Sequence, residues 1–203
     1  MNIARGFYLT IALAAAAAMV GCQSGGARAS GRNDQDTARA REQNDRAFEL
    51  IKQGKYAPAE ELLKKAVAAD VMYGPARNNL GLVYYHTSRL YLAAWEFENA
   101  IRLMPHQPEP RNNLGLVLER AGKLAPAAES YAQARDIEPD NPEFLANLAR
   151  AKIRHGDRDS ETKKLLEELV LKDPRPRWND WARMNLLRIQ SLPPAATAPA
   201  TGD

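Results

Sequence analysis

Cysteine is almost missing from this sequence: of its 203 residues, Cys22 alone carries a thiol. One thiol excludes an intrachain disulfide and a thiolate metal cluster. Aromatic residues are scarce at 7%, while the apolar share of 45% is ordinary and alanine is conspicuous. Such a composition suits helices packed through small residues better than a sandwich or a barrel. An excess of one charge is lacking too. The net charge of +3, with no run of five or six like charges, is too small to argue for nucleic acid, whose binders concentrate charge on one face. Catalytic chemistry is equally thin. His86, His106 and His155 stand apart without ligand spacing, and no metalloprotease, nucleophile-elbow or phosphate-loop motif is present. Glu60-Glu61 and Glu167-Glu168 read as exposed helix charges with lysine neighbours, and Asp157 and Asp159 flank Arg158 in a polar turn. The reading is of a protein that is not an enzyme, with no cofactor and no metal.

What is present is repetition. Arg77-Asn78-Asn79-Leu80-Gly81-Leu82-Val83 returns letter for letter as Arg111-Asn112-Asn113-Leu114-Gly115-Leu116-Val117, 34 residues later. The register extends to Ala93 and Ala127, Phe97 and Tyr131, Ala100 and Ala134, Pro105 and Pro139. One period earlier it persists in weaker form, with Ala47, Gly54, Ala59, Leu63 and Ala66. One period later it fades to Leu148, Ala149 and Gly156. Small residues at a fixed interval mark where two helices approach closely, and the large apolar ones mark the stripe the pair buries.

This pattern resembles the tetratricopeptide (TPR) family, whose helix-turn-helix unit has small residues at positions 8, 20 and 27 and a proline at 32. Gly81, Ala93, Ala100 and Pro105 occupy those positions in one copy, and Gly115, Ala127, Ala134 and Pro139 in the next. Arg77 and Arg111 stand where the family has an aromatic residue. The resemblance implies an all-α, right-handed superhelical solenoid of about four repeats. The expected units are 40–73, 74–107, 108–141 and a degenerate 142–174. Asp140-Asn141-Pro142-Glu143 reads as an N-cap, an N1 proline and an early acid opening the fourth unit. That unit's second helix is expected over about Thr162 to Leu171. A stack of repeats leaves its last face open, so residues 175–191, with Trp178 and Trp181, are expected to form a capping helix. Residues 192–203 read as a disordered tail.

The N-terminus is of another kind. Phe7 to Val20 is apolar except for Thr10, too short for a span of about 20 residues but suited to a signal peptide. It ends at Met19-Val20-Gly21-Cys22, which resembles the lipobox of bacterial lipoproteins. That resemblance implies a signal peptide over 1–21, lipidation of Cys22 and export to the periplasmic side, with the outer membrane favoured by Gln23. Several acyl chains anchor a protein firmly at about 0.8 kcal/mol per buried methylene. Residues 22–39 are nearly devoid of apolar side chains up to Thr37 and read as a flexible tether.

In the TPR family the first helix of each unit lines the concave face. Here Asn44, Asn78 and Asn112 recur at the fifth position of the unit, and Asn79, Asn113 and Asn147 at the sixth. Ala146 ends the first series. An asparagine amide donates and accepts at once, so a column of them suits an extended peptide read through its main chain. The same residues also serve as hydrogen bonds to a neighbouring helix, and both readings stay open. Further along this face lie Tyr85, Glu119, Arg120, Arg150 and Arg154. The arginines point to a partner carboxylate near the third and fourth units. The resulting expectation is a lipid-anchored scaffold of the bacterial envelope that holds a partner protein. It resembles TPR lipoproteins of pilus assembly and those that marshal peptidoglycan hydrolases. The alternatives are a targeting subunit for a separate envelope glycosyltransferase or hydrolase, and a structural lipoprotein that self-associates as a homodimer.

Overall fold

The computed structural model describes the backbone of residues 25–191 and the side chains of residues 33–191. The signal segment 1–21, Cys22 and the tail 192–203 lie outside the described residues. Among the described residues there are nine helices and no strand: α1 Gly25–Lys52, α2 Tyr56–Ala69, α3 Gly74–His86, α4 Leu90–Leu103, α5 Glu109–Arg120, α6 Leu124–Ile137, α7 Pro142–His155, α8 Ser160–Lys172 and α9 Pro176–Ser191. None of these helices is long and apolar enough to cross a membrane.

The helices pair as α1/α2, α3/α4, α5/α6 and α7/α8, and each pair packs on the next. First helices of successive units also touch, α1 with α3, α3 with α5 and α5 with α7. That places them on the inside of the curve of an all-α superhelical solenoid. The second helices repeat one buried triplet: Ala59, Leu63 and Ala66 on α2, Ala93, Phe97 and Ala100 on α4, Ala127, Tyr131 and Ala134 on α6. The i, i+4, i+7 spacing puts each triplet on one stripe. Burying each central side chain contributes about 1.5–3 kcal/mol.

The two conserved-register glycines meet the central aromatic of that triplet. A Cβ on Gly81 would lie 2.6 Å from Phe97 Cε1, and one on Gly115 would lie 2.5 Å from Tyr131 Cε1. A real side chain there would force the ring away, so the glycines set how closely the two helices of a unit approach. The turn between those helices has its own device. Gly54, Ser88, Gly122 and Gly156 recur every 34 residues and all have positive φ, of 71°, 62°, 77° and 103°. Ser88 is the only residue of the four with a Cβ to strain in that region.

Two stretches differ from expectation. Helix α1 runs back to Gly25, across most of the stretch read as a flexible tether. From Ala40 onward α1 is held by packing, with Ala40 and Ala47 wholly buried, and a helix propagates cheaply from an anchored nucleus. Thr37 adds a fixed point by donating its hydroxyl to Asp70 Oδ2 at 2.7 Å. At the other end, α8 starts at Ser160 because Asp159 is its N-cap, accepting from the Thr162 N–H at 2.7 Å. Asn141 caps α7 ahead of Pro142, and Glu143 N–H donates to its side chain at 3.0 Å. Trp178 and Trp181 of α9 pack, half-buried, on the core formed by Leu165, Leu166, Leu169 and Ala182. The open face of the last unit is closed there.

Candidate functional site

Each junction between units is crossed by one asparagine pair. Asn79 Nδ2 donates to Asn44 Oδ1 at 2.8 Å, Asn113 Nδ2 to Asn78 Oδ1 at 3.0 Å, and Asn147 Nδ2 to Asn112 Oδ1 at 2.8 Å. The fifth-position asparagine of one unit always accepts from the sixth-position asparagine of the next. Three junctions need three pairs, which explains where the two series stop. Among the described residues no unit precedes the first, which carries Asp45 at its sixth position. The fourth has no following repeat and carries Ala146 at its fifth. Asn44, Asn79, Asn112 and Asn147 are buried, while Asn78 and Asn113 are half-buried. The pairs occupy one donor and one acceptor per junction. The opposite ends of the third pair, Asn112 Nδ2 and Asn147 Oδ1, take no part in it and have no hydrogen-bond partner among the described residues. Asn78 and Asn79 also line a cavity of about 600 Å³ beside the α4–α5 loop.

Five of the predicted groove residues come together. Tyr85, Glu119, Arg120, Arg150 and Arg154 line, with Leu116, a cleft of about 460 Å³ across α3, α5 and α7. Its centre is Glu119, which is only 6% exposed. Arg150 donates to it from Nε and Nη2 at 2.9 and 2.8 Å, Arg154 from Nη1 at 2.6 Å and the Tyr131 hydroxyl at 2.8 Å. Burial alone would push the Glu119 carboxyl up, but the hydrogen bonds from Arg150, Tyr131 and Arg154 outweigh it and hold the carboxyl at about 2. Burial and the Glu119 charge together push the Tyr131 hydroxyl well up. Glu119 is therefore an anion at neutral pH, and Arg150 and Arg154 already have a carboxylate within the chain. Arg120 is held differently. Its Nη1 donates to the Tyr85 carbonyl at 3.0 Å and its Nη2 to Ser88 Oγ at 2.9 Å, and its guanidinium lies 5.2 Å from the Tyr85 ring centre. No carboxylate neutralises it among the described residues. The cleft thus has three guanidiniums around one carboxylate, and a positive surplus remains for a ligand.

Glu60, read from sequence as an exposed charge, is half-buried and joins the first unit to the turn of the second. Arg89 donates to it from Nη1 and Nη2 at 3.0 and 2.5 Å, and Lys64 lies 2.9 Å away. The Arg89 hydrogen bonds, against the opposing effect of burial, hold its carboxyl at about 2. Glu168 likewise pairs with Arg135 at 2.6 Å. No group of three or more metal-ligating side chains exists among the described residues.

A family model of the tetratricopeptide repeat matches residues 118–183, across the third and fourth units and into α9. Residues 118–183 match tetratricopeptide repeats, and the whole array has the TPR fold. Solved TPR folds agree. PilF of Pseudomonas aeruginosa superposes with a TM-score of 0.67 at 17% identity, covering 78% of this chain and 70% of that one. The first TPR of Spaghetti (RPAP3), bound to the HSP90 peptide SRMEEVD, gives 0.57 at 21% identity over 60% of this chain and 96% of that one. The second TPR domain of human RPAP3, in complex with the HSP70 peptide SGPTIEEVD, gives 0.54 at 22% identity over 59% and 98%. No curated protein matches the chain by sequence. The TPR fold is an interaction scaffold, typically non-catalytic, and two of these relatives hold peptides.

The sequence did not single out Tyr131 as a site residue, nor the neighbourhood of Trp178 as a cavity. A signal for the first was present: relative to the second unit, the third exchanges Phe97 for Tyr131 and Tyr85 for Glu119. Two polar groups entering one unit at paired positions mark a buried hydrogen bond.

Proposed function

We propose that this TPR chain is a lipid-anchored adaptor of the bacterial envelope that holds an extended, acidic segment of a partner protein on its concave face. The observation that carries the groove reading is the cleft around Glu119, with its surplus guanidiniums on two successive first helices, α5 and α7. Two TPR relatives that hold acidic peptides support the choice of ligand class. The free amide groups of the asparagine pairs lie along the same helices and serve a peptide main chain. The lipobox-like ending at Cys22 supports anchoring on the periplasmic side, with no nucleic acid and no catalysis of its own.

Titrating the full chain with a capped acidic peptide and with its glutamine counterpart tests the groove. The acidic peptide should bind more tightly, the gap should narrow at high salt, and Arg120→Ala should weaken it. Equal binding of the two peptides removes the reading. The anchor is tested separately by labelling with a clickable fatty acid, where Cys22→Ser should lose both the label and the membrane fraction. A second reading, self-association through the terminal helix, draws on Met184 and Leu187, which are 66% and 61% exposed on α9. Light scattering distinguishes it: a monomeric body ends that reading.

A further inference from the structure

Beside the Glu119 cleft lies a second cavity, of about 330 Å³, lined by Arg150, Arg177, Trp178 and Trp181. It sits where α7 meets α9, and Arg150 lines both spaces. The two indole rings stand edge to face, 79° apart with centres at 5.5 Å. They form two apolar walls at an angle rather than a flat platform. Both side chains are half-buried and pack against the core, which holds the two walls in place before any ligand arrives. This volume lies at the small end of ligand pockets, the scale of one large side chain.

The charge around it is one-sided. Arg175 lies 5.7 Å from the Trp178 ring centre but is neutralised by the buried Asp173, to which it donates from Nε and Nη2 at 2.8 and 2.6 Å. Arg150 lies 5.5 Å from the same ring and is committed to Glu119 through two of its five N–H groups. Arg177 is exposed and forms no ion pair among the described residues. Asp180, one turn along α9, also forms none and does not line the cavity. Across the two neighbouring cavities, which share Arg150, four guanidiniums therefore face one carboxylate.

Resting on the adaptor reading above, we infer that this cavity takes one large apolar side chain of the acidic partner peptide. The side chain seats on Trp178 and Trp181, and flanking carboxylates bind Arg177 on one side and Arg154 and Arg120 on the other. Because Arg150 borders both spaces, the apolar residue and its nearest acid are close in sequence. Extended chain advances about 3.3–3.6 Å per residue, so one to three residues separate them. Apolar burial supplies the affinity of such a contact, and the arginines supply orientation and rate of encounter. Charge complementarity is what selects an acidic peptide over a neutral glycan, which would also stack on indole.

The test uses the full chain and two labelled, capped peptides that differ only at the centre: paired glutamates flank either a phenylalanine or an alanine. Fluorescence polarisation should show the phenylalanine peptide binding at least about tenfold more tightly. Arg177→Glu, at an exposed position that leaves helicity unchanged, should weaken that peptide by about tenfold and the alanine peptide less. If the two peptides bind equally and both are weakened by Arg120→Ala, the aromatic cavity is overturned while the groove reading stands. Binding of neither peptide overturns both. Binding of neutral chitotetraose, with loss on Trp181→Ala and no effect of Arg177→Glu, overturns the peptide in favour of a glycan.

Discussion

The second and third units share seven consecutive residues and the same glycine-to-ring contact, yet they hold their inner faces together in different ways. In the second unit the ring over the glycine is Phe97, and the inner face carries Tyr85 and His86, with His86 stacked 5.0 Å from Tyr56. In the third the ring is Tyr131, whose hydroxyl reaches Glu119, and Glu119 in turn gathers two arginines of the fourth unit. The inner face of the second unit is aromatic. That of the third is a saturated ionic cluster with one geometry. A repeat fold can thus keep its spacing while changing, unit by unit, what the inner face offers a ligand.

The largest effect should come from removing the anion at the centre of that cluster. Glu119→Ala leaves Arg150, Arg154 and the buried Tyr131 hydroxyl without their acceptor and should cost about 3 kcal/mol, the low end for breaking a buried pair because Arg154 is half exposed. Tyr85→Ala, at the same repeat position, should cost clearly less; chemical denaturation of the two variants gives the comparison, and equal losses would erase the distinction between the units. The cluster also makes stability depend on pH. Glu119 falls from an ordinary 4.5 when unfolded to about 2 when folded, so its contribution is complete above pH 4.5 and is lost as pH falls toward 2. Glu60 follows the same course. Acid titration of the midpoint should therefore keep a residual slope in Glu119→Gln, from Glu60, but a shallower one than in the parent.

Next in size is the glycine contact. Gly115→Ala should destabilise by about 2 kcal/mol, within the range for overpacking. Gly81→Ala should cost less, because Phe97 has no hydroxyl pinning its ring while Tyr131 does. Thermal melts that rank the two in the opposite order would show that the Tyr131 hydrogen bond does not fix the ring. Smaller again is the asparagine pairing. Asn112→Ala and Asn147→Ala should each cost about 1–2 kcal/mol by orphaning a buried amide group, and the double variant should cost less than their sum by about 1 kcal/mol. Strict additivity would mean the pair is not coupled. The smallest change should be a gain. Ser88→Gly relieves the positive φ of 62° and should stabilise by about 0.5 kcal/mol, since the left-handed strain removed is offset by unfolded-state entropy and by loss of the Arg120 contact.

Much of the array was legible in the chain. The 34-residue return of Asn-Asn-Leu-Gly, the alanine positions and the Pro142 start fix helix pairs, because a close helix approach admits only small side chains wherever it recurs. Turn conformation was half legible: Gly54, Gly122 and Gly156 announce positive φ, whereas Ser88 adopts it without the residue type that signals it. The asparagine columns were visible, but their partners were not, since a hydrogen bond between residues 35 apart depends on how one unit is set against the next. The same holds for α1. Its polar N-terminal sequence has no reason to fold by itself, and its helix follows from an anchor at Ala40 and Ala47. Composition and spacing by themselves determined that small residues would nest short helices into a curved stack. Only the tertiary structure decided which polar groups meet across it, because burial makes each unpaired group costly and so matches Glu119 to Tyr131, Arg150 and Arg154, leaving Arg120 and Arg177 uncompensated.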